Sequence, residues 1–172
     1  MKQISVLLSF FVLAIPGFQT HGQAFKKIPI ERSGCSLYTY CDMKFDKSKS
    51  RDSSAIYAGE CVQEGITYGV ICVKLEYPPE TLPMAEDLLV AYLDFLKEKF
   101  GIIKAAGYGK GLLLNQDPGT RGVLDYWEDE EKNNWKVKAW TNRMYIGVMY
   151  AYSSKNHPEQ KINLFLDGFR MP

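Results

Sequence analysis

Alternating hydrophobic and polar residues between positions 121 and 153 predict three antiparallel strands in a meander. The strands are expected at 121–128, 134–141 and 144–153. The polar run from Asp129 to Asn133 is typical of a hairpin turn. Asn142-Arg143 is short enough for a two-residue turn, and Asn tolerates the positive φ of a type I′ turn.

These turns also predict the register of the meander. Trp127 should lie opposite Trp135, Asp125 opposite Val137, and Val137 opposite Val148. Side chains alternate between the two faces of a sheet. One face then collects a hydrophobic set: Val123, Trp127, Trp135, Val137, Ala139, Ile146, Val148 and Tyr150. The other face mixes aromatic rings with two lysines: Leu124, Tyr126, Lys136, Lys138, Trp140, Tyr145 and Met149.

Further strands and two helices are predicted outside the meander. Strands are expected at 37–47, 54–63 and 66–77, and the near-continuous hydrophobic run in the third indicates that both its faces are covered. A glycine-containing strand is expected at 102–115. The first helix should begin near Pro83, end at Gly101 and bury a stripe consisting of Leu88, Leu89, Tyr92, Leu93, Leu96 and Phe100. The second should begin at 156–159 and bury Ile162, Leu164, Phe165 and Phe169.

This order of elements predicts an α+β fold. Runs of strands with two segregated helices favour an antiparallel, strongly twisted sheet with both helices packed on it. We expect one domain over residues 25–172, because no repeat or linker interrupts that range.

The first 24 residues have the pattern of a secretory signal peptide. A positively charged start precedes a hydrophobic run from Ile4 to Ile15, and Gly22-Gln23-Ala24 suits a cleavage site. The run is too short to span a membrane. The protein is therefore expected to be exported to the periplasm or the extracellular space, with no stable membrane span after cleavage.

Charge and cysteine content fit an exported protein. The first 24 residues hold one lysine and no acidic residue, so cleavage would leave 20 basic side chains facing 20 acidic ones. A nucleic-acid binder needs a basic surface, so that class is not expected. Disulfides are the default state of cysteine after export.

The four cysteines, Cys35, Cys41, Cys61 and Cys72, allow three disulfide pairings. A hairpin centred near Arg51 would place Phe45 opposite Tyr57, Met43 opposite Gly59 and Cys41 opposite Cys61. This register favours Cys41–Cys61, with Cys35–Cys72 as the remaining pair. A zinc site is disfavoured because the cysteines have neither a CxxC spacing nor a nearby histidine.

Some segments resemble a known fold family. The order of elements and the ending from Asn163 to Arg170 resemble the PsbP-like α/β/α sandwich, although Gly168 stands where a small hydroxyl residue is expected. The segments 107–111, 125–129 and 135–141 are similar to those of uncharacterised exported proteins from Bacteroidetes-type bacteria. The resemblance implies an envelope setting and no particular activity, because such folds serve as binding and assembly modules with unrelated partners.

Motifs for catalysis or metal binding are weak. The glycines at 107, 109 and 111 lack a phosphate-loop pattern and favour a bend or a ring packed on the backbone. The acidic cluster Asp125, Glu128, Asp129, Glu130 and Glu131 lacks calcium-loop spacing. His157 would be the only histidine left after cleavage and lies at a predicted helix start, which disfavours a catalytic triad. No cofactor or metal is expected.

The sequence thus favours a non-enzymatic exported module that binds a protein or a small ligand of the cell envelope. Its candidate binding residues share the aromatic and lysine face: Tyr126, Lys136, Lys138, Trp140 and Tyr145. The same pattern also fits a face covered by a helix, with the lysines reaching its edge. One alternative is an envelope-acting hydrolase that uses carboxylates, with Asp125 first among them. The predicted register buries Asp125, so it needs a partner such as Arg121 or a tyrosine hydroxyl, and a structural role for it is favoured. Another alternative is a structural homo-oligomeric subunit.

Overall fold

A computed structural model describes residues 24–155 and 158–172 of the chain. Residues 1–23, which hold nearly all of the predicted signal peptide, lie outside the described residues. So do Asn156 and His157, at the predicted start of the second helix. None of the described helices is both long enough and apolar enough to cross a membrane.

The described residues form ten strands and two α-helices. The strands are β1 (Lys26–Pro29), β2 (Ser36–Thr39), β3 (Lys44–Lys49), β4 (Ala55–Gln63), β5 (Ile66–Lys74), β6 (Ile102–Ala105), β7 (Gly109–Leu112), β8 (Arg121–Asp129), β9 (Asn134–Thr141) and β10 (Tyr145–Ser153). The helices are α1 (Leu82–Lys99) and α2 (Glu159–Leu166), and a 3₁₀ turn spans Leu114–Gln116.

Eight strands form one antiparallel sheet, which confirms the predicted α+β class. Its order is β3-β4-β5-β10-β9-β8-β6, with β7 also paired to β8, and β1 and β2 form a separate hairpin. The long strands β5, β10 and β9 occupy the centre, so their backbone groups are paired on both sides.

Both faces of the central sheet are covered by hydrophobic core. On one face, α1 contributes Leu89, Leu93 and Leu96 to a cluster that contains the predicted hydrophobic set of the meander. On the other face, the β1–β2 hairpin and α2 form a second cluster, which includes Leu37, Phe165 and Phe169. The six residues from Tyr68 to Val73 in β5 are all buried, as expected for a strand covered on both sides.

The meander has nearly its predicted bounds, and one of its registers differs. Trp127 lies opposite Trp135 and Asp125 opposite Val137, as predicted. Val137 lies opposite Tyr150, so the predicted pairing with Val148 is wrong.

The β9–β10 register differs from the predicted one because the second turn lies one residue further along the chain than predicted. Asn142 pairs with Tyr145 through its backbone N–H, and its Oδ1 accepts hydrogen bonds from the N–H groups of Met144 and Tyr145. The turn therefore has Arg143-Met144 at its centre, and Arg143 adopts φ 78°. The register moves by two residues, which leaves every side chain on its predicted face.

The predicted strand over 37–47 is divided into β2 and β3. Residues 40–43 lie between the two strands, and β2 pairs with β1 outside the large sheet. In the β3–β4 hairpin Phe45 lies opposite Gly59, so the predicted pairings of Phe45 with Tyr57 and of Met43 with Gly59 are wrong.

The Cys41–Cys61 disulfide is nevertheless present, with its Cα atoms 6.0 Å apart. Cys41 precedes β3, so the bond does not depend on the register of the ladder. Cys35 and Cys72 are buried free thiols, and the predicted bond between them is not formed. Both thiols belong to the hydrophobic cluster on the α2 face of the sheet.

The helix ends follow local chemistry. Thr81 caps α1 by accepting a hydrogen bond from the Met84 N–H at 3.4 Å, and Gly101 follows the C-cap with φ 63°, as predicted. Two residues were wrongly predicted to be buried on the helices: Leu88 is 38% exposed and Leu164 is 51% exposed. On α2, Leu166 is buried instead of Leu164.

The glycine-containing segment forms two short strands instead of one. β6 and β7 both pair with β8, and the bend between them contains Gly107 at φ 92°. A Cβ at Gly107 or Gly111 would meet nothing within 4 Å, so these glycines provide backbone conformation and no ring packs on them.

Candidate functional site

The five predicted site residues share one face, the face that α2 covers. Tyr126 lies opposite Lys136 across the β8–β9 pair. Lys138 and Trp140 follow on β9 at two-residue intervals, and Tyr145 begins β10. Their burial differs, and it divides them into a covered part and an open part.

Trp140 and Tyr145 belong to the covered part. Trp140 is 2% exposed and lies parallel to Phe169, with ring centroids 6.3 Å apart. Gly122 provides space for the indole, because a Cβ there would overlap it. The Tyr145 hydroxyl donates to the Ser33 carbonyl at 3.2 Å. These two side chains therefore stabilise the layer beneath α2 and the N-terminal hairpin.

Lys138 lies at the edge of the covered part. Its side chain is 16% exposed, and its Nζ lies 2.5 Å from Oδ1 of Asp167, which follows the last residue of α2. The aliphatic stem is covered while the ammonium group reaches a carboxylate at the rim. Lys138 thus connects the sheet to the C-terminal end of α2.

Tyr126 and Lys136 form the open part. The Tyr126 side chain is 46% exposed, and the Lys136 ammonium lies 5.2 Å from the centre of its ring. Lys136 Nζ also lies 3.1 Å from Oε1 of Glu159 in the first turn of α2. Burial alone would lower the pKa of Lys136, but the hydrogen bonds to Glu159 and Tyr126 outweigh it and raise the pKa, so the amine is charged at neutral pH.

A cavity of about 240 Å³ opens at this end of the face. Its lining combines an aromatic ring, an ion pair and apolar surface: Tyr126, Asn134, Trp135, Lys136, Glu159 and Ile162. The sequence predicted Tyr126 and Lys136. It did not predict Glu159 or Ile162, because they are more than twenty positions away along the chain and only the docking of α2 brings them here.

Asp125 lies on the opposite face, fully buried between the sheet and α1. Its Oδ2 accepts a hydrogen bond from the Trp127 indole at 2.6 Å and lies 3.1 Å from the Lys97 ammonium. Arg121, the predicted partner, instead donates to the carbonyls of Pro118 and Thr120. A carboxylate with no exposed surface and these fixed partners stabilises the packing of α1 on the sheet, and it offers no access to a substrate.

Lys97 extends this network to the surface. It donates to the Tyr108 hydroxyl at 2.9 Å, and that hydroxyl donates to Asp94 at 2.5 Å. Burial, together with the bond to Asp94, raises the pKa of Tyr108 to about 12, so the phenol stays protonated. Tyr108 therefore fixes the bend between β6 and β7 to α1, a role that the glycine pattern around it did not reveal.

The residues of the predicted acidic cluster contact different partners. Glu128 lies 3.0 Å from both Lys104 and Lys132, whereas Asp129 accepts hydrogen bonds from Asn133 and Trp135. Within residues 24–155 and 158–172, no three His, Cys, Asp or Glu side chains are arranged to hold a metal ion.

Comparison of the chain with protein-family models gives no match, and comparison with curated proteins gives none either.

Proposed function

We propose that the protein is an exported binding module that takes a small anionic or sugar-like ligand in the cavity beside Tyr126 and Lys136. The observation that carries this proposal is the half-exposed Tyr126 ring next to a charged, largely covered lysine. Aromatic surface that stays exposed beside a polar group is typical of interaction sites.

The Lys136–Glu159 pair explains how a ligand would enter. The Lys136 side chain is 13% exposed, whereas that of Glu159 is 76% exposed. The lysine has therefore already lost most of its hydration, and its partner is free to turn into solvent. A ligand carboxylate would replace Glu159 as the partner of Lys136, and Tyr126 would stack on the apolar face of a sugar ring.

The size of the cavity limits the ligand. A volume of about 240 Å³ lies below the roughly 300 Å³ at which drug-sized sites begin. The ligand is therefore a monosaccharide, a small carboxylate or one terminal residue of a longer chain.

Export and the fold relationship are parts of the same proposal. The Cys41–Cys61 disulfide supports an oxidising compartment. Helices on both faces of an antiparallel sheet support a relationship to the PsbP-like sandwich, in which binding and assembly are the usual roles.

Titration with glucuronate and glucose, followed by amide chemical shifts, tests the proposed site. Glucuronate should shift the resonances of the cavity residues and bind more tightly than glucose. Lys136→Gln should abolish the preference for the acid, and Tyr126→Ala should weaken both ligands by about tenfold, the equivalent of 1.4 kcal/mol.

Lys104→Gln is the matched control, because Lys104 is an exposed lysine on β6 that does not line the cavity. It should leave both affinities unchanged. If neither glucuronate nor glucose shifts these resonances, or if Lys104→Gln weakens binding as much as Lys136→Gln does, the proposed site is refuted.

A further inference from the structure

A larger cavity, of about 440 Å³, lies on the α1 face of the sheet at the C-terminal end of that helix. It is bounded by the two residues that follow α1, the β8–β9 hairpin and the middle of β4. The lining consists of aromatic, acidic and small polar residues: Glu60, Phe100, Gly101, Asp129, Glu130, Glu131, Asn133, Trp135 and Tyr152. The two cavities share one lining residue, Trp135.

Three aromatic rings form a continuous wall of this cavity. The Trp135 indole stacks on Tyr152 with centroids 3.9 Å apart and on Phe100 at 5.1 Å. Tyr152 and Phe100 are partly exposed, while Trp135 lies deeper and holds them together. Aromatic faces carry negative electrostatic potential and attract cations. Because Trp135 is stacked on both of the other rings, the faces left for a cation are those of the partly exposed Tyr152 and Phe100.

The side chains that line the cavity also carry negative charge. Four of the nine lining residues are acidic and none is Lys or Arg. Two of the carboxylates are held in place, since Glu60 accepts a bond from the Tyr150 hydroxyl at 2.7 Å and Asp129 one from the Trp135 indole at 2.8 Å.

Asp129 stays ionised in this setting. Burial would raise its pKa, but the hydrogen bonds from Asn133 and Trp135 outweigh burial and lower it. Burial raises the pKa of Tyr152, and the negative charges of Glu60, Asp129 and Glu131 raise it further. The Tyr152 ring therefore lies in a negative field.

We propose that this cavity binds a small organic ammonium ion, with the aromatic wall contacting the cation and the carboxylates providing its counter-charge. A metal ion requires several oxygen ligands converging on one point, and among residues 24–155 and 158–172 no three acidic, His or Cys side chains are arranged in that way. An alkylammonium group is larger, is weakly hydrated and binds to ring faces. The volume exceeds the roughly 300 Å³ of the smallest ligand sites.

Choline and its neutral isostere 3,3-dimethylbutan-1-ol provide the test, since they share a shape and differ in charge. In a titration followed by the indole N–H resonance of Trp135, choline should shift the signal and the alcohol should leave it in place through the millimolar range. Equal shifts with both compounds, or none with either, would overturn the proposal.

Three variants separate the two parts of the site. Glu130→Gln/Glu131→Gln removes two exposed charges and should weaken choline by about three- to tenfold, an effect reduced by salt. Tyr152→Phe keeps the ring and should bind as the wild type does, whereas Tyr152→Leu should lose binding while its amide spectrum stays folded. Binding by Tyr152→Leu at wild-type affinity would contradict the aromatic wall.

Asp87→Asn is the matched charge control. Asp87 is exposed near the start of α1, about 20 Å along the helix from Phe100 at 1.5 Å per residue. It should not change choline affinity, and a loss equal to that of the double variant would show only a general charge effect and refute the site. Because Lys136 lines only the smaller cavity, Lys136→Gln should also leave choline binding unchanged.

Discussion

At the scale of single residues, glycines within strands make room for aromatic rings. A Cβ at Gly147 would overlap the Phe169 ring, one at Gly69 the Tyr150 ring and one at Gly122 the Trp140 indole. Tyr150 and Trp140 lie on the strands paired with Gly69 and Gly122, so each ring crosses the glycine of the neighbouring strand. Phe169 comes from outside the sheet, so Gly147 allows the layer above to approach closely. The sequence identifies the glycines, but it does not show which ring covers each of them.

Gly147→Ala is expected to destabilise the protein by about 1–3 kcal/mol, because the added methyl group overpacks the contact with Phe169. Gly109→Ala is the matched control, since a Cβ there would meet Leu124 at an ordinary 3.6 Å. Urea denaturation of both variants measures the difference. Equal stabilities would show that Phe169 moves aside without cost.

The buried Asp125 should be the most sensitive charged residue among those described above. Asp125→Asn leaves the Lys97 ammonium without its buried counter-charge, so the free energy of unfolding should fall by about 3–5 kcal/mol. Asp94→Asn removes a carboxylate that is 61% exposed from the same lysine, and it should cost about 0–1 kcal/mol. A larger loss for Asp94→Asn than for Asp125→Asn in chemical denaturation would contradict this assignment.

At the scale of elements, sequence patterns located most helices and strands correctly. The meander, β5 and α1 each contain enough periodic hydrophobic positions to predict their type and buried face. The strand predicted over 37–47 was wrong because alternation continues through residues 40–43, where the chain leaves one sheet and enters another. Periodicity describes which side is buried, and it does not describe which strand is the neighbour.

The disulfide connects the segment between β2 and β3 to β4, and its contribution to stability follows from loop closure. A bond between residues 20 positions apart should stabilise the fold by about 3 kcal/mol, the entropy lost by the unfolded chain. Cys41→Ser/Cys61→Ser should lower the midpoint of thermal unfolding accordingly.

Thiol titration checks independently that Cys41 and Cys61 are bonded while Cys35 and Cys72 are free thiols. Cys35 and Cys72 are buried, so the native protein should react slowly and the unfolded, unreduced protein should show two thiols. No reactive thiol after unfolding would show that these two cysteines are bonded in the purified protein.

At the scale of the whole molecule, one sheet separates two hydrophobic clusters. The clusters share strands β5, β9 and β10, whose alternate side chains face α1 on one side and α2 on the other. Loss of either cluster would expose one face of the same central strands. The two layers are therefore expected to unfold together.

Leu89→Ala on the α1 side and Phe165→Ala on the α2 side test this cooperativity. Both side chains are 0% exposed, so the losses should be about 2–5 and 3–5 kcal/mol respectively. In each variant, far-UV circular dichroism and tryptophan fluorescence should report one shared transition. Two separate transitions in either variant would show that the layers fold independently.

The amino-acid sequence by itself determined the class of fold and the buried faces of the main elements. These properties depend on the period of hydrophobic residues and on turn chemistry, which are local, and a register shift of two residues leaves them unchanged. Only the tertiary structure decided which predicted surface residues stay open. Trp140 is covered because Phe169 packs beside it, while Tyr126 and Lys136 meet Glu159 at a cavity. Such contacts join residues far apart along the chain, and no local pattern encodes them.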